Sequence, residues 1–201
     1  MVTLTKKVTE AIQNSPSGIA TLETLESLKL SDDFTMKTTL SRLAISNRII
    51  RLKRGVYSTN PMADALVAAQ YTFNGYIGFT SALYVHRLIS EMPFVVTVVT
   101  TNKSDLKVFG PYEFRAVALN GKAIGFENIG NVTVSTKAKT LFDCLYLERY
   151  SIERDKLIES YKNTSLDSKE VQEFGSYVKR FIPNKKRSNF DKTIRKIMGK
   201  I

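Results

Sequence analysis

Residues 33–59 constrain the fold most, because their apolar period changes part-way along. In "DFTMKTTLSRLAISN", Met36, Leu40 and Leu43 recur at helical spacing. A helix through about Asn47 carries all three on one face. The next stretch, "IIRLKRGVYST", holds two short alternating runs joined at Lys53-Arg54-Gly55. That pattern predicts a two-stranded hairpin closed by a tight turn. Upstream, Leu4, Val8, Ala11 and Ile12 lie on one stripe of a helix over 3–14, which "SPSG" ends. Thr21 is placed to cap a short helix bearing Leu22, Leu25 and Leu28, and Asp33 to cap the third helix. Three helices followed by a hairpin is the order of a winged helix-turn-helix. In that fold the last helix enters the major groove and the hairpin rides beside it.

The outward face of the third helix carries Lys37, Thr38, Ser41 and Arg42. Short polar side chains and arginine can reach base edges, whereas Arg51, Lys53 and Arg54 on the hairpin suit phosphates. Taken singly, each cation reads as solvated surface, and charges on a hairpin edge also discourage aggregation. As a set, in this order and on a net-positive segment, they predict DNA binding. Ile45 fits less simply, since its phase also puts it on the groove side. It packs under the wing, touches a thymine methyl, or marks a helical phase off by one residue.

Charge supports a polyanionic partner. The 201 residues hold 30 Lys+Arg against 19 Asp+Glu, a net charge of +11. Such a balance favours nucleic acid over an anionic membrane surface. It is unevenly spread: residues 1–61 carry +4, 62–148 are neutral and 149–201 carry +7. The basic end, "KRFIPNKKRSNFDKTIRKIMGK", belongs to helices expected near 153–162, 168–182 and 189–199. Phe181 and Phe190 are expected to dock there with the cations outward. Lys185, Lys186 and Arg187 then form either a second DNA contact or a solvated face, two readings of equal weight. A membrane-surface helix wants a larger apolar face. The longest apolar run, "FVVTVV", is too short to cross a bilayer, and "MVTLTKKVTEAIQNS" has no apolar core of a secretory signal. A cytoplasmic protein without a membrane partner is expected.

Reactive chemistry finds few carriers. The single cysteine, Cys144, allows no internal disulfide, and the single histidine, His86, has no second histidine or cysteine to share a metal. Lys139 and Asp143 suggest a fragment of a nuclease site, but no recognisable set of further carboxylates joins them. The better reading is that Thr140 and Asp143 fix their helix while Leu141, Phe142 and Leu145 pack inward. Gly125 and Gly130 have the spacing of a phosphate-binding loop, yet Asn131-Val132 stands where Lys-Ser/Thr is required. No cofactor and no catalytic or metal site is expected.

In order along the chain, "LSRLAISNRIIRLKRGVYSTNP", "YIGFTSALYVHRLI", "FVVTVVTT" and "VTVSTKAKTLFDCLYL" resemble the AbiEi-type antitoxins. These are transcriptional regulators of type IV toxin–antitoxin, or abortive infection, systems. The resemblance covers roughly residues 20–148. It departs from the family at Ala138, where a glutamate often precedes Lys-Thr. The resemblance implies a repressor that binds an inverted-repeat operator in double-stranded DNA at its own promoter. It also implies a second domain that counteracts a nucleotidyltransferase-like toxin, with a direct complex between the two left open. The expected architecture is α+β: a winged helix over 1–61, then a mixed α/β antitoxin domain over 62–201 with a helical tail. Two other functions compete with repression and antitoxicity. One is a nucleic-acid enzyme, a nuclease or nucleotidyl transferase, that the winged helix delivers; the other is a ligand-responsive regulator with no toxin.

Overall fold

The computed structural model describes residues 3–164 and 166–199. The chain forms two compact units, dividing between Asn74 and Gly75, with Val108–Tyr112 counted in the first.

The first unit contains α1 (Leu4–Gln13), β1 (Ile19–Thr21), α2 (Leu22–Ser27), α3 (Asp33–Ile45), β2 (Ile49–Lys53), β3 (Val56–Thr59) and α4 (Ala65–Phe73). Thr21 caps α2, its hydroxyl accepting the Thr24 N–H at 3.1 Å. Asp32, rather than Asp33, caps α3 by accepting the Thr35 N–H at 2.9 Å. Asp33 becomes the first helical residue, where its charge complements the positive end of the helix dipole. At the other end Asn47 adopts φ 55°, and the Arg48 N–H then bonds back to the Leu43 carbonyl at 3.0 Å. Asparagine tolerates this left-handed stop better than most residues.

The sheet order is β1-β3-β2, all antiparallel. The register slips between Arg51 and Lys53, a bulge that adds a residue to β2. It explains why Ile49 and Leu52, an odd number of residues apart, both lie 2% exposed. Val8, Ile12, Leu25, Met36, Leu40, Leu43 and Tyr57 close the core between the helices and this sheet. Helix α4 packs against β2 and β3, which carries the unit past Pro61.

The second unit is built on β4 (Tyr76–Ile77), α5 (Phe79–Val85), β5 (Val95–Thr100), β6 (Asp105–Phe109), β7 (Tyr112–Ala118), β8 (Phe126–Ile129), β9 (Val132–Ser135), α6 (Lys137–Tyr146), α7 (Arg154–Thr164), α8 (Ser168–Phe181) and α9 (Asn184–Ile197), the tip of the β6–β7 hairpin from Val108 to Tyr112 being the part counted in the first. Its mixed sheet runs β6-β7-β5-β4-β9-β8. Strand β5 is parallel to β7, and β4 to β9; β4–β5 and β8–β9 are antiparallel. The strands at "FVVTVV" and "YEFRAVAL" are β5 and β7. The residues between Gly125 and Gly130 are strand β8, and the glycine pair brackets one arm of a hairpin. Leu141, Phe142 and Leu145 of α6 do face inward, joined by Leu157, Tyr161, Phe174 and Phe190 of the last three helices. Helix α9 begins at Asn184 rather than near 189, directly after Pro183. The protein is thus a mixed α+β structure. Among the described residues no helix is long and apolar enough to cross a membrane.

Candidate nucleic-acid interface

Helix α3 separates its two faces sharply. Met36, Leu40 and Leu43 are buried, while Lys37, Ser41 and Arg42 are exposed and Thr38 is half-buried. The four residues singled out on this face do come together: with Phe34 they line one shallow depression. Their charges are not equivalent. The Lys37 ammonium lies 3.3 Å from a carboxylate oxygen of Glu26 on α2, so part of its charge is already answered. Arg42 has no acidic side chain in ion-pairing range among the described residues. The hydroxyl and N–H of Thr35 hold the Asp32 carboxyl below its usual range, so the cap at the helix entrance stays ionised at neutral pH.

The hairpin divides its cations as well. Arg51 and Arg54 are exposed, but Lys53 is half-buried and donates to the Asn74 side-chain oxygen at 2.6 Å. That bond turns Lys53 toward the end of α4, while its ammonium keeps its charge and two further donors. Gly55 adopts φ 73° at the turn, and its carbonyl accepts the Leu22 N–H at 2.7 Å. The hairpin tip is therefore braced against the start of α2; it is a short support for Arg54 and not a free arm. Arg48 is a cation that sequence reading misses. It is exposed just before β2, and it belongs to neither the helix face nor the alternating hairpin that periodicity can find.

The basic tail also resolves into different roles. Lys185 and Lys186 are exposed in the first turn of α9. Arg187 is half-buried and donates to the Ile182 carbonyl at 2.8 Å and the Lys179 carbonyl at 2.7 Å. It fastens the α8–α9 corner by satisfying carbonyls at the end of α8. Lys192 and Lys196 continue the exposed basic face of α9.

The polar groups of α6 face the interior. Lys139 and Asp143 form an ion pair with both side chains wholly buried, and the ammonium lies 5.6 Å from the Phe142 ring centre. Thr140 and Ser135 hydroxyls bond at 2.7 Å, so Thr140 holds the helix start to β9. Burial pushes the Asp143 carboxyl up to about 6, with Lys139 opposing the shift, and the same burial lowers the Lys139 ammonium. Complete enclosure keeps this pair from any substrate. The His86 Nε2 lies 2.7 Å from the Ser135 carbonyl, to which it donates, and burial lowers its pKa toward the neutral ring. Cys144 is buried and its thiol is pushed up to about 12 by that burial, which leaves no thiolate at neutral pH.

A cleft of about 650 Å³ lies between Arg87–Phe94 and α7. Its charges are balanced, Arg87 and Lys156 against Glu91 and Glu159, so it offers a polyanion little. Among the described residues no three His, Cys, Asp or Glu side chains gather as a metal site. Compared with protein-family models and with curated proteins, the chain matches none.

Proposed function

We propose that the protein is a DNA-binding transcriptional repressor that presents the outward face of α3 to the major groove. The single observation behind this is the exposed α3 row of Lys37, Thr38, Ser41 and Arg42, opposite a core-facing row of Met36, Leu40 and Leu43. The element order α1-β1-α2-α3-β2-β3 and the sheet order β1-β3-β2 support a winged helix-turn-helix reading of the first unit. A major groove about 12 Å wide admits one such helix. Arg48, Arg51 and Arg54 then sit beside it as phosphate contacts, with Lys185 and Lys186 as a second basic surface.

The resemblance to AbiEi-type antitoxins supports the rest of the proposal. The protein represses its own operon at an inverted repeat in the cytoplasm, and its second unit counteracts a nucleotidyltransferase-like toxin. Full-length protein titrated with duplex from upstream of its own gene should bind with strong salt dependence. Four to six phosphate contacts imply a slope of log K against log[salt] of about −4 to −5. In one strain, a promoter reporter should be repressed and a co-expressed toxin neutralised. Replacing Arg42 and Arg54 by alanine should release the reporter while rescue persists. A flat salt dependence rejects DNA binding; loss of rescue in that variant, with folding intact, rejects the separation of the two activities.

A further inference from the structure

Phe34 and Ile45 are both 80% exposed, large apolar side chains that the core leaves unused. They belong to a row. Positions 34, 38, 41 and 45 are spaced four, three and four apart, so Phe34, Thr38, Ser41 and Ile45 share one stripe of α3. At 1.5 Å per residue the stripe is about 16 Å long. Lys37 lies on one flank and Arg42 on the other, and Arg48 follows just beyond the helix. The centre of the face is therefore uncharged, and the cations border it.

That distribution has a specific meaning if this face enters a major groove. Guanine is commonly read by a bidentate arginine or lysine, and adenine by a bidentate asparagine or glutamine. The central stripe holds none of these. It offers instead a phenyl ring, the methyl of Thr38, the aliphatic side chain of Ile45 and two hydroxyls. Apolar groups in the major groove recognise the one apolar group exposed there, the C5-methyl of thymine. The bordering cations suit the phosphates of the groove walls. Arg42 on one flank and Arg48 just beyond the helix favour a polyanion over a second copy of the chain, while Lys37 on the other flank is partly answered by Glu26.

Resting on the DNA-binding reading, we propose that α3 selects thymine-rich duplex by contacts of Phe34 and Ile45 with thymine C5-methyl groups. Arg42, on the flank, then positions the helix on phosphate and contributes little to base choice.

The test is a methyl scan. A duplex selected by the full-length protein from a random pool is resynthesised with each thymine in turn replaced by deoxyuridine. This removes one methyl and preserves charge and pairing. At the contacted positions the native protein should lose about three- to fivefold in affinity, the worth of one buried methyl. Phe34→Ala and Ile45→Ala should each abolish the sensitivity at one set of positions and leave the salt slope unchanged. Both residues are exposed, so the variants should keep the native circular dichroism and melting temperature. Salt-dependent binding with no sensitivity to any methyl would overturn the thymine reading and leave DNA binding standing. Absence of salt-dependent binding to every duplex would overturn both. A concentration-dependent dimer that Phe34→Ala dissociates would make the row a protein interface and also overturn the proposal.

Discussion

Lys139 and Asp143 pair across one turn of α6, and neither side chain reaches solvent. Burying two charges costs several kcal/mol per ion, and their attraction offsets this only while both are present. Lys139→Met or Asp143→Leu alone strands its partner and should cost about 3–5 kcal/mol. The double variant removes both charges and should lie within about 1 kcal/mol of the native protein or above it. Urea unfolding of the four proteins measures the coupling. Additive single effects would show that the two residues act separately.

The same pair gives a pH dependence with a definite sign. Burial pushes the Asp143 carboxyl up to about 6 in the folded protein, against an ordinary value of 3.8. The folded state binds this proton more tightly, so the group's stabilising contribution is full below 3.8 and disappears as pH rises through about 6. The difference amounts to about 3 kcal/mol at most. Asp143→Asn cannot titrate. The stability of the native protein relative to this variant should therefore fall as pH is raised from about 4 to about 7. A rise over that range would mean that the lysine's attraction outweighs desolvation.

Arg187 and its basic neighbours should separate cleanly. Arg187→Ala leaves the Ile182 and Lys179 carbonyls without their donor and should cost about 1–3 kcal/mol in thermal or urea unfolding. Lys185→Ala with Lys186→Ala should change stability by no more than about 0.5 kcal/mol per residue. If they contact DNA, the salt slope should shrink by about one for each lost phosphate contact. An unchanged slope assigns both lysines to solvent.

What was legible in the sequence follows from the range of the interactions. The switch from α3 to the hairpin could be read because 3.6- and 2-residue periods are local. The cap of α3 is read one residue late, at Asp33 instead of Asp32, since adjacent aspartates are equally able to cap. Strand β1 gave no signal: three residues are extended there because they pair with β3, far along the chain. Helix α4 gave no stripe because Val67, Ala68, Ala69, Thr72 and Phe73 are buried around much of its circumference. At the candidate site the row of Lys37, Thr38, Ser41 and Arg42 was readable from helical phase. The exposure of Phe34 was not, because composition assigns a phenylalanine to the core. Neither were the diversion of Lys53 to Asn74, 21 residues away, nor the use of Arg187 as a corner clamp.

Isotope-labelled full-length protein, titrated with the selected duplex and followed by nuclear magnetic resonance, puts the α3 interface to its plainest test. The largest shifts should fall on Thr38, Ser41 and Arg42 of α3 and on Arg51 and Arg54 of the hairpin, and added salt should reverse them. The buried face at Met36, Leu40 and Leu43 should move far less. Shifts confined to residues beyond Gly75, or none at any protein concentration, would contradict the assignment of DNA binding to α3.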